Sequence, residues 1–258
     1  MQETLKIAGV QAHLAWENPV QNRKYFTERL KNLEDVDIIV LPEMFATGFS
    51  MNPQNLAEVE PGETLSWMKE QAVKTGAAIA GSLMVKVHED FYNRFYFVTP
   101  HGEIHTYDKR HTFTLAGEDK VYTKGKKPVI IDYKGWQICL QVCYDLRFPV
   151  FSRNVSNYDV LLYVANWPVT RVFAWETLLK ARAIENMSYC VGVNRIGIDG
   201  GGYEYNGHSG IYDYLGGTLA FAKDKEVTII AQLSAENLQK TRKNLNFLAD
   251  RDSFLLQE

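Results

Sequence analysis

Three polar side chains stand where short apolar runs end: Glu43 after V-D-I-I-V-L-P, Lys109 in Y-D-K-R-H, and Cys143 after W-Q-I-C-L-Q-V. Their chemistries are complementary. A carboxylate takes a proton, an ammonium stabilises an oxyanion, and a thiol attacks an electrophilic carbon. A free thiol, with a pKa of about 8.5, is only a few per cent ionised at neutral pH and needs a base or a cation beside it. Taken singly, each residue has an ordinary explanation. Cysteine is a small hydrophobe that cores use freely, Glu43 suits a helix start or the surface equally well, and Lys109 suits a solvated string of charges. Cys139 and Cys190, inside apolar runs, take that ordinary reading. Cys143 differs by position. The run 138–142 is β-rich and too short for a helix, and Asp145 offers an N-cap for a helical segment over about 149–157. A thiol on such a turn faces the crevice at the carboxyl end of the strand, beside free backbone N–H groups.

The elements that must bring these groups together recur in two similar halves. A strand over 6–12 precedes a helix capped by Asn18, with Pro19 at its first position and an apolar stripe of Val20, Phe26, Leu30 and Leu33. A buried strand over 36–41 follows. Leu65, Met68 and Ala72 then repeat at helical spacing until Gly76 stops that helix. Stretches 77–87, 94–99 and 103–107 read as a three-stranded meander. After a polar loop over 110–127 the order returns: strands 129–132 and 136–142, the helix near Pro149, a strand over 160–164 and a long helix over about 171–186. Strands 189–193, 210–212, 218–222 and 227–232 complete the second set, and 238–248 is partly helical. Two mixed sheets packed face to face, with helices on both outer faces, bury the apolar strands of each half. A single doubly wound sheet also fits the pattern. The lack of a Ser/Pro/Gly-rich linker predicts one domain over 1–258.

An apolar content of 46% and a charged content of 23% are those of an ordinary globular chain. A net charge of −3 argues against a nucleic-acid partner. Three cysteines in apolar contexts predict no disulfide framework and a reducing compartment. The opening M-Q-E-T-L-K-I is not a secretory signal, and no apolar run approaches a membrane span, so the expectation is a cytoplasmic protein. His101 and His105 do not form a helical metal pair, because Gly102 and a strand pattern intervene, so no metal is expected. Gly200 to Gly202 lacks the strand and helix of a nucleotide cradle and reads as a flexible loop. Arg182, Glu185 and Asn186 read as buried polar structure on the long helix.

P-E-M around Glu43, Y-D-K-R-H around Lys109 and L-Q-V-C-Y-D-L-R-F-P around Cys143 resemble, in order and spacing, the three signature segments of the nitrilase superfamily of carbon–nitrogen hydrolases. The resemblance runs over essentially the whole chain. A-N-W-P (165–168), W-E-T-L-L-K-A-R-A-I-E-N (175–186) and G-V-N-R-I-G (192–197) look most like the bacterial omega-amidase branch. That branch removes ammonia from alpha-keto dicarboxylate monoamides such as 2-oxoglutaramate and 2-oxosuccinamate. The resemblance implies a four-layer α-β-β-α sandwich, a Glu43–Lys109–Cys143 triad, no metal or organic cofactor, and a homodimer or higher homo-oligomer. It also implies a second glutamate soon after the lysine, which places Glu118 as a substrate-positioning acceptor. His111, a rival base in a papain-like pairing, ranks below Glu43 on the same ground. A substrate carboxylate calls for an arginine. Arg171, near the start of the long helix, and Arg147, four residues past the thiol, are the candidates. Tyr144, Trp167 and Phe45 are candidate apolar walls, and the backbone N–H of Tyr144 is a candidate oxyanion donor.

Overall fold

Apolar runs of similar order in the two halves become two sheets. The computed structural model describes residues 1–256. In chain order the elements are β1 (Thr4–Gln11), α1 (Pro19–Leu30), β2 (Ile38–Val40), α2 (Pro53–Leu56), β3 (Glu58–Val59), α3 (Glu63–Thr75), β4 (Ala78–Val87), β5 (Asp90–Val98) and β6 (Ile104–Asp108). There follow β7 (Val129–Tyr133), β8 (Trp136–Val142), α4 (Pro149–Ser152), β9 (Val160–Ala165), α5 (Val172–Asn186) and β10 (Tyr189–Asn194). Last come β11 (Ile196–Ile198), β12 (Glu204–Asn206), β13 (Gly210–Tyr212), β14 (Thr218–Phe221), β15 (Val227–Ser234) and α6 (Ala235–Leu245).

The first sheet runs β15-β1-β2-β4-β5-β6, with β3 also on β4, and the second runs β14-β13-β10-β9-β8-β7. Each sheet is parallel at its centre and antiparallel at its margins: β1, β2 and β4 are parallel, as are β8, β9 and β10. Alternation sorts the side chains. Ile138, Leu140 and Val142 of β8 share one buried cluster with Val40, Ala80 and Phe97 of the opposing sheet. Cys139 turns the other way and packs with Leu161, Tyr163, Cys190, and Trp175 and Leu179 of α5. On the far side Phe26 and Leu30 of α1 and Met68 and Ala72 of α3 cover Ile39 and Ile79. The layers are therefore α1/α3, first sheet, second sheet and α5, the four-layer α-β-β-α sandwich.

Local signals account for much of this. Asn18 accepts a hydrogen bond from the Gln21 N–H with Pro19 at the first helical position, and Gly76 ends α3 in the left-handed conformation at φ 68°. Several expectations are corrected. Val20 is exposed and not part of the α1 stripe. The helix near Pro149 stops at Ser152, because Asn154 bonds with both the backbone N–H and C=O of Tyr158 and holds the chain away from helical geometry. Asp145 lies inside a 3₁₀ turn, Cys143–Arg147, and Phe148 is the N-cap of α4. Strand β15 leaves the second half to pair with β1, from Thr4–Ser234 to Gln11–Val227. Gly200 to Gly202 form the tip of the β11–β12 hairpin. The polar stretch 110–127 holds two 3₁₀ turns, Thr114–Ala116 and Glu118–Lys120.

Candidate active site

Four strands deliver polar residues to the same end of the sandwich. Pro42 and Glu43 follow β2, Lys109 follows β6, Cys143 follows β8 and Asn166 follows β9. Pro42, which donates no backbone N–H, suits the end of a ladder. Met44 takes φ 46° and its N–H is received by Ser82 Oγ at 2.9 Å, which fixes the turn that carries Glu43. Glu43 is fully buried. Its Oε1 accepts Lys109 Nζ at 2.9 Å and Asn93 Nδ2 at 2.8 Å, and its Oε2 accepts the Asn166 backbone N–H at 2.8 Å. Asn166 Nδ2 also donates to the Glu43 carbonyl at 2.6 Å. Each carboxylate oxygen is thereby oriented, Oε2 also receiving Asn166 Nδ2 at 3.5 Å.

Lys109 Nζ meets a second carboxylate, at 3.0 Å from Oε1 and 2.9 Å from Oε2 of Glu118. Burial would lower the lysine pKa, but the charges of Glu118 and then Glu43 overcome it and hold the ammonium well above its usual value. Glu118 is fully buried, and its Oε2 also receives the Phe113 N–H at 2.5 Å. Burial raises the carboxyl of Glu118, the charge of Lys109 lowers it and that of Glu43 raises it, with a net upward shift.

Cys143 opens its 3₁₀ turn at φ 45°, a left-handed conformation that costs a β-carbon residue about 1–2 kcal/mol. Its Sγ lies 3.9 Å from the Asn166 carbonyl. Burial, followed by the negative charge of Glu43, pushes the thiol well above its usual pKa, while Lys109 pulls it down. The balance favours the neutral thiol, with the Lys109 ammonium within electrostatic reach.

Lys109 and Cys143 line one cavity of about 440 Å³. Its walls are largely aromatic, with Trp16, Phe49, Phe113, Tyr144, Trp167 and Tyr205 among them, and its charged residues besides Lys109 are Arg147, Arg171 and Asp199. The Arg147 guanidinium sits 5.0 Å over the Trp167 ring and that of Arg171 5.1 Å over Phe113. Trp167 Nε1 donates to the Arg171 carbonyl at 2.7 Å. A second cleft of about 470 Å³, lined by Met1, Gln137, Asp159 and Arg242, contains none of the three strand-end residues.

The structure thus brings Glu43, Lys109, Cys143 and Glu118 into one cluster, and sets Tyr144, Arg147, Trp167 and Arg171 around the adjoining cavity. Phe45 departs from expectation. It is fully buried against Phe26 and Trp67 beneath α1 and α3, because the chain turns sharply at Met44. Glu118 is set back from the cavity lining, and both its oxygens accept from Lys109. His111 bonds through Nδ1 to Asp145 at 2.7 Å and lines a different, smaller cavity. Two residues of the site, Asn93 and Asn166, take no site role in the sequence reading, although Asn166 lies in the A-N-W-P segment. Asn93, in the middle of β5, is a polar residue in an aromatic-rich strand. Asn166 directly follows an unbroken apolar strand, the position that had singled out Cys143.

The class follows from this fold together with the comparison of sequences. A carbon-nitrogen hydrolase family profile matches residues 6–243, and the chain belongs to that family. It is 45% identical to the omega-amidase YafV of Yersinia enterocolitica, over 98% of this chain and 99% of that one. It is 32% identical to a 2-oxoglutaramate amidase of Bacillus subtilis, over 95% and 96% of the two chains. Among solved structures, a CN-hydrolase superfamily protein of Xanthomonas campestris, described with an arsenic adduct in its active site, superposes with a TM-score of 0.96 at 40% identity, over 98% and 99% of the two chains. No helix among the described residues is long and apolar enough to cross a membrane.

Proposed function

We propose that the protein is a cysteine-dependent amidase that releases ammonia from the omega-amide of alpha-keto dicarboxylate monoamides, 2-oxoglutaramate and 2-oxosuccinamate. One observation carries the reading: a thiol and a buried ammonium share their cavity with two arginines. The first pair suits an amide carbonyl, and an arginine suits the carboxylate at the other end of a short substrate. The names of the relatives, omega-amidase and 2-oxoglutaramate amidase, support the same chemistry.

In this mechanism Glu43 takes the Sγ proton as sulfur bonds to the amide carbon. The carbonyl electrons become an oxyanion, met by Lys109 Nζ and by the Tyr144 N–H, which belongs to the first turn of a helical segment where N–H groups lack partners inside the segment. One such donor is worth about 3–4 kcal/mol in the transition state. The C–N bond breaks as Glu43 returns the proton to nitrogen. Ammonia departs and a thioester remains. Glu43 then deprotonates water, hydroxide adds to the thioester, and the C–S bond breaks as sulfur regains its proton. The product is the free acid. The proposal includes action in the cytoplasm as a homodimer, the latter checked by light scattering.

Ammonia release from 2-oxoglutaramate and from an uncharged amide of equal length tests the reading. Cys143→Ala should abolish both activities while the protein remains folded. Loss of the carboxylate-binding arginine should raise KM for the keto acid roughly 10–100-fold, the equivalent of a charge-assisted hydrogen bond, and leave the neutral amide unchanged. Arg171→Ala and Arg147→Ala distinguish the two candidates. Turnover by Cys143→Ala would remove the thiol from the mechanism, and equal effects of both arginine variants on both amides would remove the carboxylate pocket.

A further inference from the structure

Asp145, two residues beyond Cys143, is fully buried and takes no part in the mechanism above. Four donors converge on it. Oδ2 accepts the Val142 N–H at 2.9 Å and the Tyr107 hydroxyl at 2.7 Å. Oδ1 accepts the His111 backbone N–H at 3.0 Å and lies 2.7 Å from His111 Nδ1, which is therefore the protonated ring nitrogen. The origin of these donors is informative. Val142 is the last residue of β8, in the second sheet, and its bond fixes the Gln141–Val142 peptide, one peptide ahead of the link into the left-handed Cys143. Tyr107 belongs to β6, in the first sheet, and His111 lies four residues on; Lys109 is midway between them. One carboxylate therefore fastens both flanks of the lysine to the turn that carries the sulfur.

The surroundings reinforce that link. The Tyr107 oxygen accepts the Arg110 N–H at 3.0 Å, which ties down the peptide after Lys109. The His111 ring stacks on Phe148 at 3.7 Å, Phe148 meets Tyr144 edge-on at 5.1 Å, and Tyr144 meets Phe113 at 4.9 Å. Tyr144 and Phe113 line the cavity.

We infer that Asp145, with Tyr107 and His111 as its donors, is a positioning group that sets the separation of the Lys109 ammonium from the Cys143 sulfur across the two sheets. It touches no reacting atom. An ordinary capping aspartate holds its own turn, whereas this one holds two catalytic segments from opposite sheets in register. The inference rests on the Glu43–Lys109–Cys143 reading.

Tyr107→Phe tests it, because at nearly constant volume the change removes the O–H donor to Asp145 and, with it, the acceptor of the Arg110 N–H. A lost hydrogen bond to a charged acceptor corresponds to roughly a 10–100-fold effect. The expected result is a fall of about that size in kcat with KM within twofold. Alkylation of Cys143 by iodoacetamide at pH 7 should slow, since a lysine that drifts away stabilises the thiolate less. His111→Asn, which keeps a side-chain N–H donor, should retain more activity than His111→Leu. Unchanged kcat and unchanged alkylation in Tyr107→Phe would overturn the inference. So would a rise in KM alone, or a loss of kcat that follows the unfolded fraction in a thermal melt. If Cys143→Ala proves active, the triad reading fails, and the alkylation rate still reports on the placement of the sulfur.

Discussion

Replacing Glu43 by glutamine separates two effects that a carboxylate has beside a thiol. As a base, in the proposed mechanism, it accepts the thiol proton during attack. As an anion it disfavours the thiolate at rest. After burial, the charge of Glu43 is the largest influence that raises the Cys143 pKa, and Lys109 acts against it. Two unit charges about 4 Å apart at an effective dielectric of about 20 interact by about 4 kcal/mol, equivalent to about 3 pKa units and here a ceiling. Removing the anion lowers the thiol pKa, so Glu43→Gln should raise the thiolate fraction at pH 7 at least tenfold, while loss of the base lowers kcat by about 10²–10⁴-fold. The variant is expected to be a worse amidase with a more reactive sulfur. Thiolate absorbance at 240 nm, followed against pH, and iodoacetamide kinetics read the first effect. Cys139 and Cys190 do not interfere, because both are buried beneath α5, with Cys139 pushed up to about 12 and Cys190 also raised. Slower alkylation in the variant would refute the electrostatic account, and turnover within tenfold of the parent would refute Glu43 as the base.

Two further outcomes concern stability. Asp37 accepts the Lys6 N–H at 2.7 Å and is paired with Lys134; burial would raise its pKa, but these partners together with Gln2 lower it. A depressed folded-state pKa means the stabilisation is present above the unfolded value of about 3.9 and is lost as pH falls through the folded value. Asp37→Asn should therefore cost about 1–2 kcal/mol in urea unfolding at pH 7, with the difference from the parent vanishing in acid; a constant difference at all pH values would contradict this. Gly192 lies where an added Cβ would come within 2.4 Å of Leu179 and 2.9 Å of Trp175. Gly192→Ala should force α5 away from β10 and cost about 1–3 kcal/mol, or about 2–4 °C in Tm for each kcal/mol; an unchanged Tm would show that α5 yields freely.

Features encoded over a few neighbouring residues were legible in the sequence. The ends of β2, β6 and β8, the Asn18 cap, the Gly76 stop and the extent of α5 all follow from local pattern, and the strand ends located Glu43, Lys109 and Cys143. What failed depends on distant partners or on a local turn. β15 finds β1 some two hundred residues away, and nothing in V-T-I-I-A-Q-L-S distinguishes that partner from β14. Phe45 shares strand parity with Glu43, but parity lost its meaning once the chain turned at Met44. The β11–β12 hairpin has only three residues per strand, too few for alternation to register. Asn93 escaped because the sequence pattern places the strand from 94 onward, which leaves it outside, whereas β5 begins at Asp90 and turns Asn93 onto Glu43 and Glu118.

The proton count around Lys109 connects these observations to function. Its ammonium has three N–H donors, and three carboxylate oxygens lie within 3.0 Å of it, two of them on Glu118. A donor is free for a substrate oxyanion only if the two Glu118 oxygens share one proton. With both carboxylates ionised the buried trio carries a net charge of −1, and a charge in such surroundings persists only when fully paired. Burial first, and then the charge of Glu43, favour the protonated form of the sulfur at rest. In the proposed mechanism, once Glu43 accepts the thiol proton, the negative charge passes through sulfur to the carbonyl oxygen, beside an ammonium that Glu118 already holds in place. The arrangement thus stores no reactive thiolate at rest and places its fixed positive charge where negative charge develops, the condition under which a preorganised donor acts most strongly.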